Sequence, residues 1–447
     1  MSGREPAAEG APADLVGRPG GDTASPPLVT AVGGERLVPE PDPIARDYLL
    51  LALRLDQHVP GLVDGYYGPR DLKARVDMEN LRPPGRLAED AAALRERVAA
   101  EIAEPGRRRW LDRQLVALET LAAREAGSVL PYVEEVTHCF DAPPSRLPPA
   151  TYAEVRSELE SLLPGPGSLV ERLEAWDARF VIPPDRVRAA VDVLLPGIRA
   201  ASMARFPAPD GESLRVSLVS GQPWSGYNWY DGGLRSRVDL NTELPIRAPA
   251  LLDTLSHETF PGHHLEHAWK ERRLVVELRR VEATILLIDT PECYVSEGLA
   301  ELGRRYTLDQ GTRAGLLRTA CRVAGLPVTD DDVDRQLEIA ASLHRLRGSD
   351  GDAALMLHAE GRPRADVLAF LREEAVMSPA RAQKRLEFVE QPLWRTYAFS
   401  YAGGEALLGR WCDAAGSEEG ARARFLRLLT EQLTPSGLEE ELRPRSG

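Results

Sequence analysis

Lysine is nearly missing from this chain: of 55 basic residues only Lys73, Lys270 and Lys384 are lysines, and the rest are arginine. That reads as base composition of the coding sequence, not as a functional choice. Positive charge is also in deficit, with 69 acidic residues and a formal net charge of -14. A nucleic-acid binder needs a basic face, and this balance argues against one. It also gives no electrostatic reason to sit on an anionic membrane. Cysteine is scarce: Cys139, Cys293, Cys321 and Cys412 are far apart, with no CxxC spacing. A disulfide framework is excluded for a chain of this size, and four free thiols in a reducing compartment are expected. No run of about 18 apolar residues occurs, so no transmembrane helix is expected. The first 42 residues lack the apolar core of a signal peptide. A cytoplasmic location is the expectation.

What is present is an ordinary globular composition over 447 residues. Residues 1–42, rich in Gly, Ala, Pro and acids, read as a disordered leader that cannot offset its chain entropy by burial. Helical periodicity starts near Pro43, with long patterns over about 44–55, 88–104, 107–126 and 184–205. Leu214 to Val219 and Arg237 to Thr242 alternate like strands, with Gly221 to Gly233 between them as loop. Helices then dominate again. The expectation is a mainly α fold: one large helical domain over 43–433, a small β-sheet beside the site, and a frayed tail over 434–447.

Four of the eight histidines fall in the eleven residues from His257 to His267, and the first is followed by Glu258. A His-Glu pair on a helix, with another His about a turn later, is the grammar of zinc hydrolases. Two imidazoles hold the ion, and the carboxylate takes a proton from a water the ion has polarised. The spacing departs from HExxH. In an unbroken helix His263, six residues on, points about 120° away from His257, and His264 lies about 10.5 Å along the axis. Pro261 and Gly262 resolve the conflict, because they interrupt the ladder and can return His263 to the ion. His257 and His263 are the expected ligands. His264 is a weaker candidate, and His267 reads as a partly packed helix residue. Glu297, in Ser296-Glu297-Gly298-Leu299-Ala300-Glu301, is the expected third ligand. Gly298 would admit another helix close by, and Glu301 could support a ligand imidazole. On spacing alone, both glutamates read equally well as a solvated face.

The string HETFPGHH, followed by Ser-Glu-Gly-Leu-Ala-Glu, resembles an uncharacterised bacterial family with an HExxPGHH hallmark. That family is similar to the gluzincin metallopeptidases, the group of thimet oligopeptidase, angiotensin-converting enzyme and Taq-type carboxypeptidase. Asp239 to Thr242, Leu357 to Gly361 and Ser400 to Glu405 resemble three of its other motifs, in the same order. Glu266 and Leu299 depart from its usual Gln and Trp. The resemblance implies a helical gluzincin-like domain with a deep substrate channel over a Zn²⁺. It implies Tyr401 and His358 as hydrogen-bond donors to a developing oxyanion. It also implies Asn241, on an edge strand, as a substrate contact. Tyr227, Trp229 and Tyr230 either line a substrate mouth or pack a loop. The expected function is hydrolysis of a peptide amide bond with Glu258 as general base. A small-molecule amide or ester hydrolase of specialised metabolism, and a non-catalytic metal-binding protein, are the alternatives.

Overall fold

The computed structural model describes residues 38–443 apart from residue 223. These residues form nineteen α-helices, five short 3-10 or π-helical segments and five short strands joined by turns, so the chain is mainly helical with small sheets. The first helix, Pro43–Asp56, shows why the elements start where they do. Asp42 accepts a hydrogen bond from the Ala45 amide at 2.9 Å, and Pro43 occupies the first turn, where its missing N–H costs nothing. Its buried residues Leu49 to Leu53 face neighbours all round, as an apolar run predicts. Val38 already packs on the core, so the fold begins a few residues ahead of Pro43. Of the expected leader, residues 1–37 lie outside the described residues.

The tail is a correction. Pro435–Leu442 is a helix, capped by Thr434, whose hydroxyl accepts from the Gly437 amide at 3.2 Å. Leu438 is fully buried. Pro435 and Gly437 are buried beside it and Leu442 packs on the core, which with the cap docks a segment whose polarity reads as fraying. Only residues 444–447 lie outside the described residues.

Strands β1 (Val63–Tyr66) and β5 (Ile285–Leu287) pair antiparallel. This pairing carries Asp64, far upstream in sequence, to the site. The second sheet contains β2 (Ser213–Val219), β3 (Gly226–Tyr230) and β4 (Arg235–Asn241), in the order β2-β4-β3. β3 lies inside the segment read as loop: its Gly/Tyr/Asn/Trp composition hides a strand. β4 is central, parallel to β2 and antiparallel to β3. Asn241 is therefore on no edge, and the expectation of substrate strand addition there is overturned. Its amide instead staples a turn, donating to the Gln222 carbonyl at 2.6 Å and accepting from the Glu243 amide at 3.1 Å. The edge strand beside the site is β3.

All four cysteines are free and buried. Among the described residues no helix is long and apolar enough to cross a membrane.

Candidate metal centre

Three helices deliver the centre. The first, Ala248–Glu258, ends on His257 and Glu258. The chain breaks at Thr259 to Gly262 and restarts as His263–Lys270. Gly262 is forced there: a Cβ on it would lie 1.7 Å from the His257 carbonyl oxygen. The break is sharper than a bulge within one helix, and it folds His263 back beside His257. The third helix, Pro291–Thr307, is capped by Thr290 and presents Glu297. Gly298 lets this helix meet the helix Ser400–Asp413 backbone to backbone, since a Cβ on Gly298 would lie 2.4 Å from the Gly404 carbonyl carbon.

The imidazole Nε2 atoms of His257 and His263 are 3.1 Å apart. Glu297 lies 3.3 Å from the first through Oε2 and 3.6 Å from the second through Oε1. Ligand atoms on a tetrahedral ion at about 2.1 Å are about 3.4 Å from one another, so this spacing fits a divalent cation. All three residues are buried, and they form a group able to hold a metal. Glu258 is 1 % exposed, and its Oε1 has no hydrogen-bond partner. Burial pushes its carboxyl above the usual range, with the His257 and His263 charges opposing. A buried carboxylate without a partner beside two imidazoles is expensive in a purely structural site.

Each candidate ligand has a polar neighbour behind it. His257 Nδ1 lies 3.1 Å from Glu301, whose carboxylate is clamped by Arg304 and Arg347. Glu301 thus sits where the sequence reading placed a supporting group. His263 Nδ1 lies 3.6 Å from Glu266, which takes bonds from Lys270 at 2.6 Å and Ser296 at 2.5 Å. The Tyr397 hydroxyl donates to Glu297 at 2.8 Å. Glu266, Ser296 and Tyr397 were missed in these supporting roles. The only signal for Tyr397 was its spacing of four from Tyr401.

The remaining candidates separate cleanly. His264 is fully buried and turned away, with Nδ1 2.8 Å from Ser236 and Nε2 2.7 Å from Glu212. It ties the helix His263–Lys270 to the sheet. His267 is half-buried and stacks on His263 at 5.7 Å. Tyr401 is at the site, its ring 6.0 Å from His257 and 5.5 Å from Tyr397. His358 is not. It sits on a π-helical turn, Leu355–Ala359, and its Nε2 bonds the Val389 carbonyl at 2.7 Å. Its ring packs on Tyr132, and it is absent from the described residues lining either cavity at the centre. The extra residue in a π turn shifts which face a side chain occupies. The Tyr227, Trp229 and Tyr230 alternatives split: Tyr227 lines the small cavity, while Tyr230 is buried and bonds Glu271.

Two cavities flank the centre. One, about 740 Å³, is lined by His257, Tyr401, Glu301, Arg304 and Arg347 among others. The other, about 70 Å³, is lined by Glu258, His263, Glu297, Asp64, Asn228 and Tyr227 among others. The larger lies within the size range of ligand pockets.

No family model and no curated protein matches this chain. Among solved structures it is similar to a candidate lipoprotein of unknown function from Shewanella oneidensis. The identity is 13%, the TM-score is 0.46, and the match covers 89% of this chain and 73% of that one.

Proposed function

We propose that this chain is a metal-dependent amide hydrolase acting on peptides, with Zn²⁺ held by His257, His263 and Glu297. Two nitrogens and one carboxylate with room for a further ligand are the donor set of a catalytic zinc rather than a closed structural one. The ion supplies Lewis acidity to a water molecule and to the substrate carbonyl. Glu258 accepts the water's proton on its unpartnered oxygen and returns it to the leaving nitrogen. Its raised affinity for a proton suits that exchange. Tyr401 donates a hydrogen bond to the carbonyl oxygen as charge develops there. Burial opposes it, but Arg347 and Arg304 keep Glu301 ionised, so that a negative charge lies 3.1 Å from His257 Nδ1.

The observation that carries this reading is the convergence of three donor atoms beside the partnerless Glu258 carboxylate. The test is metal analysis of the purified protein followed by a peptide-library digest read by mass spectrometry. Glu258→Gln is expected to keep its metal and lose hydrolysis by about 10²- to 10⁴-fold. Equal rates for metal-loaded variant and wild type would remove Glu258 from the mechanism. Turnover of small amides but no peptide would move the substrate class.

A further inference from the structure

The small cavity carries an observation that the hydrolytic reading does not use. Asn228, on β3, is 8 % exposed and lines this cavity. Its Nδ2 donates to the Glu258 carbonyl at 2.6 Å. A carbonyl only accepts, so the amide cannot be turned over, and the other amide atom must be oxygen. That Oδ1 is buried and has no partner. It is an acceptor held beside the proposed base and waiting for a donor. The cavity's charge has the same sense. Its lining includes Asp64, Glu258, Glu266, Glu292 and Glu297 with the imidazoles of His263 and His267, and among the described residues no arginine or lysine. Lys270 behind the wall offsets the Glu266–Glu292 pair in part, and an ion on Glu297 offsets that carboxylate. Asp64, which accepts from the Tyr227 hydroxyl at 2.7 Å, and Glu258 line the same cavity.

From this we infer that the small cavity is a subsite for the free amino terminus of the substrate, with Asn228 Oδ1 and the Asp64 carboxylate accepting the ammonium hydrogens. The inference rests on the peptidase reading and narrows its substrate class to peptides cut close to a free N-terminus. Volume sets the distance. A cavity of about 70 Å³ holds on the order of five waters, which is one small residue and not a chain. The remainder of the peptide leaves through the large cavity on the His257 and Tyr401 side. β3 supplies the subsite from the edge of its sheet, and Asn228, unlike Asn241, reaches the proposed base.

Two measurements test this. The first compares cleavage of a short alanine-rich peptide with that of its N-acetylated form. Wild type is expected to favour the free amine by about tenfold or more, the scale of a hydrogen bond to a charged group. Asp64→Asn keeps an acceptor for Tyr227 and is expected to collapse that ratio, as is Asn228→Ala. The second is calorimetric titration of metal-free and zinc-loaded protein with alaninol, an amine that cannot be hydrolysed, and with N-acetylalaninol. Binding of alaninol alone, weakened in Asp64→Asn, supports the subsite. Equal cleavage of acetylated peptide, or no preference for alaninol, overturns it while leaving the hydrolase standing. Amine binding with no peptide hydrolysed keeps the subsite and removes the peptidase.

Discussion

At the scale of single residues, burial decides protonation. Asp289 is fully buried, with φ of 52°, and only one of its carboxylate oxygens is bonded, to Thr396 at 2.8 Å. Burial pushes its carboxyl up to about 7. The folded state therefore holds this proton more tightly than the unfolded chain, where an aspartate titrates near 3.9. Its contribution to stability is complete below that unfolded value and is lost as pH rises through about 7. Asp289→Asn keeps the acceptor for Thr396, tolerates the left-handed backbone, and cannot ionise. Relative to wild type, the variant is expected to gain stability between pH 5 and pH 8, on the order of a few kcal/mol. Denaturant midpoints across that range measure it, and a pH-independent difference would show that Asp289 stays ionised throughout.

At the scale of elements, the break between the two metal helices separates adjacent histidines into different tasks. His263 joins the proposed ion site, and His264 bridges Glu212 to Ser236 in the sheet. His264→Ala leaves a carboxylate and a hydroxyl short of a partner in a buried place, at a cost of about 2–4 kcal/mol. Its melting temperature is expected to fall while one metal per chain is retained. His263→Ala is expected to lose the metal. Equal metal loss in both would mean that His264 shares the ion.

The same elements explain what could be read from the sequence and what could not. His257, Glu258 and His263 were legible because helix geometry is local and Pro261-Gly262 announces an interruption, whereas Glu297, on another helix, was a candidate that spacing alone left level with a solvated face. The mainly helical fold with a small sheet was legible from periodicity. Asn241 was misplaced because pairing β2 with β4 is nonlocal, and nothing in Arg237 to Thr242 says which strand is central. Asn228 was hidden because β3 has the composition of a loop. Motif order brought Tyr401 to the site but misplaced His358, because a motif position carries no information about which way a π turn faces its side chain. Glu266 looked like a mere departure: Lys270, one turn on, is a local pair that spacing offers, but Ser296 reaches it from another helix.

At the scale of the whole molecule, the centre is a joint. An ion bound as proposed would fasten the helices bearing His257, His263 and Glu297 to one another. Something positive must stand between those groups. In metal-free protein it is a proton. Burial drives His257 down, but the Glu297 and Glu301 carboxylates outweigh it and hold it at about 9. Burial acts likewise on His263, and the Glu297 charge with Glu266 raises it. These raised groups stabilise the metal-free fold fully below the unfolded histidine value near 6.5, and that stabilisation fades as pH climbs toward 9. Metal binding needs the same nitrogens deprotonated, so its affinity moves in the opposite direction. A bound ion would stabilise the fold by mass action in proportion to the logarithm of its concentration over its dissociation constant. The gap in melting temperature between zinc-loaded and chelator-treated protein is therefore expected to widen steadily from pH 6 to pH 9. Binding measured by calorimetry in buffers of different ionisation heat is expected to release at least one proton near neutrality. In His263→Ala the gap is expected to close at every pH. A gap that stays constant with pH, or that survives loss of His263, would place the stabilising ion elsewhere.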